Sequence, residues 1–240
     1  STKPNGLDAL FAAIYRGDAT LGDTSGVEDD GNEVNAGGWT ALHCAVVYDR
    51  PHWIRALCER FPKLDADCFN RPSRPLAAGN FAALRLAVVR SRSNCIIALS
   101  ECFPAIKIDG ALQAACEFNR LAYIPILRQC FPQLTGNELE YYSSFPSALM
   151  CAASFNNPKC IRALHSCFPD IDPNLQDQHG KTALILAMRY SASPECISAL
   201  SECFPYIDPN KQDIVENTAL MYACEQGLPQ SITSLATYFP

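Results

Sequence analysis

Two apolar patterns alternate along the chain, and each recurs six times. The first is Ala-Leu with a second Ala four places after the first: Ala41-Leu42 with Ala45, Ala83-Leu84 with Ala87, Ala111-Leu112 with Ala115, Ala148-Leu149 with Ala152, Ala183-Leu184 with Ala187, and Ala219-Leu220 with Ala223. Residues four apart share one helix face, so each tag predicts a short helix whose small side chains let its neighbours approach closely. The second pattern is Ile and Leu three apart, then Phe-Pro, as in Ile54, Leu57, Phe61-Pro62 and Ile161, Leu164, Phe168-Pro169. The other copies end at Phe103-Pro104, Phe131-Pro132, Phe204-Pro205 and Phe239-Pro240. This predicts a second helix, stopped by a proline that cannot continue it. Phe follows the first Ala by 20 residues in five copies and by 21 in the fifth, whose extra residue falls in the turn Ser191-Ala192-Ser193-Pro194. A helix pair of this size cannot bury its own apolar face, so the expected fold is an all-α solenoid of stacked helix-turn-helix units.

The polar segments between the pairs carry a family signature. Asp172-Pro173-Asn174 runs on through Asp177, Gly180-Lys181-Thr182 into Ala183-Leu184, and Asp208-Pro209-Asn210 through Asp213, Asn217-Thr218 into Ala219-Leu220. Asn35 and Gly38-Trp39-Thr40 lead in the same frame to Ala41-Leu42-His43-Cys44-Ala45. This arrangement resembles the ankyrin repeat. The resemblance implies a hairpin-like finger before each first helix and covers roughly residues 30–240. It departs from the family in keeping His after Leu only at His43, in ending second helices with Phe-Pro, and in placing Glu216 where the finger glycine belongs. Tag spacings of 42, 28, 37, 35 and 36 residues are irregular. The shortest leaves Ala105–Gly110 with no room for a finger, and the longest leaves a loop, Lys63–Asn80. The expected organisation is an N-terminal half-repeat helix and loop over 1–29, with Leu7–Arg16 as the helix. Six divergent repeats follow, at about 30–62, 63–104, 105–132, 133–169, 170–205 and 206–240.

Composition narrows the function. A net charge of -6 with a pI near 5.2 disfavours a nucleic-acid binder, which draws its affinity from clustered Lys and Arg. No apolar run reaches the ~18 residues of a membrane span. Thirteen cysteines are an odd number, and several repeat in register, so they are expected to be reduced, in an intracellular, reducing compartment. The expected localisation is the cytoplasm, or a host cytosol for a secreted effector, a class in which divergent repeats of this family are common. The chain lacks an initiator Met, and its last residues carry no distinct polar cap. A longer parent protein is therefore expected.

Catalysis and metal binding find little support. Cys95/Cys102, Cys160/Cys167 and Cys196/Cys203 lie seven apart, or ~10.5 Å along a helix, too far for a shared zinc or a disulfide. They are expected to stack as small buried apolar side chains. His43 and Cys44, adjacent on a helix, point ~100° apart and cannot form a nucleophile–base pair. The resemblance instead gives His43 a role bracing the finger. His52 and His165 stand alone. No enzyme activity, cofactor or metal is expected.

Binding is the better target. The resemblance places partner contacts on finger tips and on the outer part of the first helix. These positions hold Trp39, Val47 and Tyr48; Phe81, Val89 and Arg90; Phe118; Phe155; His179, Arg189 and Tyr190; and Ile214 and Val215. Apolar and aromatic residues at sites expected to be solvated mark an interaction face, with Arg90 and Arg189 available for partner carboxylates. Tyr141, Tyr142 and Phe145 border it. The expected function is binding of a protein partner by a monomeric module. The alternatives are a targeting arm for a catalytic domain elsewhere, an inert spacer, or a face already covered by the 63–80 loop, the N-terminal segment or a missing domain.

Overall fold

The computed structural model of the protein describes residues 6–20, 27, 31–68, 82–108, 110–138, 147–190 and 192–239. Thirteen helices form among them, and their one extended pairing is an isolated antiparallel bridge between Val34 and Thr40. The chain divides into two compact units, Ser1–Ile108 and Asp109–Pro240.

The first unit holds α1 (Gly6–Arg16), α2 (Ala41–Val47), α3 (Pro51–Arg60), α4 (Ala83–Val89) and α5 (Ser93–Cys102). Helix α1 packs Leu10, Ala13 and Ile14 inward and lies against α2. Helix α4 stacks on α2 and α5 on α3. The second unit holds α6 (Ala111–Glu117), α7 (Tyr123–Cys130), α8 (Ala148–Ser154), α9 (Pro158–Cys167), α10 (Ala183–Arg189), α11 (Pro194–Cys203), α12 (Ala219–Glu225) and α13 (Pro229–Tyr238). There α6, α8, α10 and α12 form one layer, and α7, α9, α11 and α13 the other.

Local chemistry explains the uniform length of the first helices. Each of the six spans seven residues and begins at the first Ala of its tag. Thr40, Ser147, Thr182 and Thr218 precede α2, α8, α10 and α12, and each side chain accepts a bond from the backbone N–H three residues on. That satisfies one of the donors a helix leaves open at its start. At the other end the chain turns left-handed, at Asp49, Ser91, Asn119, Asn156 and Gly227. The next N–H then closes back onto the second Ala: Arg50 N–H reaches the Ala45 carbonyl at 2.8 Å, and Asn157 N–H the Ala152 carbonyl at 2.8 Å. Such a bond stops a helix by occupying a carbonyl left over at its end.

Proline opens α3, α9, α11 and α13, where a missing N–H costs nothing. Phe61, Phe131, Phe168 and Phe204 close their helices and are buried. Ile54, Ile96, Ile124, Ile161 and Ile197 are fully enclosed, as are the leucines that follow them. Each such side chain contributes ~1.5–3 kcal/mol of burial.

The cysteines correct the reading of them as apolar filler. Cys95, Cys160 and Cys196 are enclosed as expected, yet their thiols donate to the preceding turn. Cys95 Sγ reaches Asp49 Oδ1 at 3.5 Å, Cys160 Sγ reaches Asn119 Oδ1 at 3.6 Å, and Cys196 Sγ lies 3.9 Å from the Ala153 carbonyl. Cys95 and Cys160 thus pair with the left-handed residue that follows the neighbouring first helix, and Cys196 with a carbonyl of that helix's last turn. Cys102 and Cys167 are half-buried. All thirteen cysteines are free thiols.

Candidate functional site

Fingers and first-helix ends are fixed by side-chain bonds to the backbone. In three fingers one side chain holds the turn: Asn35 Oδ1 accepts from Gly37 N–H and Trp39 N–H at 2.9 and 3.1 Å. Asp177 Oδ1 accepts from His179 and Lys181 at 2.8 and 2.7 Å, and Asp213 Oδ1 from Val215 and Asn217 at 3.0 Å each. The tight turn requires positive φ at Gly38, Gly180 and Glu216. Glu216 therefore keeps the finger geometry without the glycine, at the steric cost of a left-handed non-glycine residue.

His43 sits wholly buried, its Nδ1 2.7 Å from Thr40 Oγ1, with its ring edge-on to Trp39. It ties the first finger to α2. Among the described residues no group of His, Cys, Asp and Glu could hold a metal ion.

In the first unit Trp39 and Val47 are half-buried, as is Val89, so these three offer less surface than their positions implied. Trp39 leans on His43. Tyr48 is exposed, but its ring meets Tyr15 of α1 edge-on, at 5.1 Å between centroids. The N-terminal helix therefore covers part of the face that Tyr48 would present. Arg90 is exposed. Phe81 lies outside the described residues, as do Tyr141, Tyr142, Phe145 and most of the 63–80 loop.

In the second unit the candidate residues come together. Phe118, Phe155 and Tyr190 are the residues that end α6, α8 and α10, helices that pack side by side. They are 40%, 41% and 48% exposed, and they form a row of aromatic rings across consecutive first helices. Beyond Tyr190 lies the finger of the last pair, with Ile214 and Val215 at its tip, 68% and 63% exposed. His179 is exposed on the preceding finger, and its carbonyl accepts from Ile214 N–H at 3.1 Å. The two fingers are thereby held in register.

A polar cluster supports the end of this row. Tyr222 Oη donates to Asp213 Oδ2 at 2.7 Å, and Lys181 Nζ stands 3.9 Å from the same oxygen. Burial opposes ionisation of Asp213, but the bonds from Tyr222, Asn217 and Val215 outweigh it and hold the carboxyl below its usual range. The Arg189 guanidinium lies over the Tyr222 ring, 5.8 Å from its centre. Arg189, Tyr190, Asn217, Tyr222, Glu225 and Gln226 line a cleft of about 400 Å³.

The sequence pattern did not single out Asp213 and Tyr222. The finger frame marks Asp213, and Tyr222 stands where the other tags carry Cys, Leu or Ala. Leu220 and Met221 were also missed. Their counterparts Leu184 and Ile185 are buried, whereas Leu220 and Met221 are 49% and 50% exposed. The pattern reads them as core, because Leu149 and Met150 of α8 and Leu184 and Ile185 of α10 are buried where the next first helix packs on them.

Comparison with known proteins agrees with this architecture. A family model described as ankyrin repeats in three copies matches residues 114–213 and 149–238. No curated protein matches the chain. Among solved structures, the ankyrin repeat domain of Bcl-3, a member of the IkappaB protein family, is 19% identical with a TM-score of 0.71, covering 97% of this chain and 100% of its own. The human ASB11 ankyrin repeat domain is 18% identical with a TM-score of 0.63, covering 96% and 97%. An ankyrin repeat protein from Leishmania major is 16% identical with a TM-score of 0.60, covering 98% and 82%. At such identities the likeness is one of fold. Together with the family match across more than half of its length, it establishes that the chain belongs to the ankyrin repeat family.

Proposed function

We propose that this chain binds a protein partner through the finger and first-helix face of its second unit. Ankyrin repeats generally serve as protein–protein interaction modules, and no enzyme family matches the chain. The observation that carries the reading is the aromatic row of Phe118, Phe155 and Tyr190, continued by Ile214 and Val215 at the last finger tip. Rigid aromatic side chains supply contact area at low entropic cost and dominate interface energetics. Arg189, seated on Tyr222 beside the row, is placed to receive a partner carboxylate. The partner element that fits is an apolar or aromatic segment with an acidic flank. In the first unit Arg90 and Tyr48 contribute a smaller surface, part of which α1 covers.

A pulldown with wild type beside a Phe118→Ala/Tyr190→Ala/Ile214→Ala variant tests this, once circular dichroism shows the variant folded. A partner captured by wild type and lost by the variant supports the reading. A partner retained by both removes the binding site from this face. The finer readings, a secreted effector or an arm of a larger protein, rest on the same face and stand or fall with the partner's identity.

A further inference from the structure

One pair of thiols is placed differently from the rest. Cys102, Cys130, Cys167 and Cys203 each end a second helix, one to a pair. Stacked helix axes lie ~8–10 Å apart, and a disulfide needs Cα atoms within about 7 Å, so equivalent positions are poor partners. In α3 the equivalent position is Arg60, and the cysteine sits earlier in the last turn, at Cys58. That offset turns Cys58 toward α5: its Sγ donates to the Cys102 carbonyl at 3.4 Å, which brings it close enough to reinforce burial in raising the pKa of the Cys102 thiol. Both side chains are half-buried, open enough for a small oxidant. The Arg55–Glu101 bridge, with Arg55 Nη2 2.6 Å from Glu101 Oε2, joins the same turns of α3 and α5 and holds the helices together beside the pair. Cys116 and Cys160 of the second unit are also electrostatic neighbours, but both are fully enclosed, which denies an oxidant access.

We propose that Cys58 and Cys102 form a reversible oxidation site that closes to a disulfide between α3 and α5 in the presence of glutathione disulfide. One cysteine thiolate attacks a sulfur of glutathione disulfide, breaks its S–S bond and releases one glutathione thiolate. The second cysteine thiolate then attacks the protein sulfur of the mixed disulfide and releases the other glutathione. Two electrons pass from the protein to the oxidant, and the two protons lost by the cysteines end on two molecules of glutathione. Burial and the neighbouring Cys58 push the Cys102 thiol up to about 11, so closure accelerates as pH rises above neutrality. The product ties consecutive helix pairs of the first unit across a long stretch of sequence.

The test is incubation of the full chain with glutathione disulfide, followed by alkylation of the remaining thiols and peptide mass spectrometry. The expected product carries a Cys58–Cys102 cross-link, with Cys95, Cys116 and Cys160 still reduced. Its Tm is higher than that of the reduced protein, and dithiothreitol reverses the shift. Cys58→Ser and, separately, Cys102→Ser abolish the cross-link and the Tm shift, leaving at most a glutathione adduct on the remaining partner. Mixed glutathione adducts without a cross-link in wild type overturn the proposal. So does a cross-link elsewhere, or a Tm shift that persists in both variants.

Discussion

At the scale of single residues, the fingers depend on backbone conformations that only some side chains tolerate. Gly180 has φ of 72°, and a Cβ there would stand 2.9 Å from Ile214 N and 3.0 Å from Asp213 Cα, both backbone atoms that cannot step aside. Gly180→Ala is therefore expected to destabilise the second unit by ~1–3 kcal/mol, read as a lower midpoint in urea unfolding. Glu216 is the converse, a non-glycine residue at φ of 65°. Glu216→Gly should stabilise by about 1 kcal/mol, offset in part by the greater freedom of glycine in the unfolded chain. Asp213 adds a pH dependence. Its folded carboxyl is held below the ordinary Asp value, so its contribution is fully present above about pH 4 and is lost as pH falls through the folded value. Thermal melts across that acid range should show a steeper loss of stability for wild type than for Asp213→Asn, which is less stable at neutral pH. Equal slopes would remove Asp213 from the account.

At the scale of elements, the first helices keep one length because a threonine or serine caps the start of α2, α8, α10 and α12 and a left-handed residue follows the end of α2, α4, α6, α8 and α12. The alanines between those ends set how near the stacked helices approach. Ala187 is fully buried where α10 lies between α8 and α12. Ala187→Leu should cost ~1–3 kcal/mol by overpacking, whereas a substitution at exposed Arg189 stays within about 0.5 kcal/mol. Comparable losses at the two positions, measured by chemical denaturation, would contradict the packing described. The αL residues also join elements: Asp49, Asn119 and Asn156 end one helix and accept hydrogen bonds from the next pair.

At the scale of the whole molecule, stability in a repeat stack is shared between neighbours, so a pair with one neighbour is held less firmly than a pair with two. In the second unit α12 shows Leu220 and Met221 half exposed, whereas α8 and α10 are enclosed on both sides. Amide hydrogen exchange should be faster in α12 and α13 than in α8 and α10. Uniform protection through the unit would show that it opens only as a whole. The face that carries the aromatic row lies on this same unit, and its finger-tip members, Ile214 and Val215, are mostly exposed. Their removal should abolish partner capture with little change in Tm, which separates a binding role from a packing one.

Much of this protein was legible in its sequence. Periodicity alone gave paired helices that must stack, because the Ala-Leu and Ile-Leu-Phe-Pro tags repeat at nearly constant separation and neither helix can bury its own face. The finger residues located the turns, and counting from each tag placed Phe118, Phe155 and Tyr190 at equivalent ends of successive helices. Exposure, however, depends on neighbours distant in the chain, and the tertiary structure decided it. It half-buried Trp39, Val47 and Val89, set Tyr15 of α1 against Tyr48, and left Leu220 and Met221 open although their pattern is that of the core. It also drew Asp213, Tyr222, Lys181 and Arg189 into one cluster and brought Cys58 to Cys102, since residues far apart in sequence meet only where stacked helices fix their register.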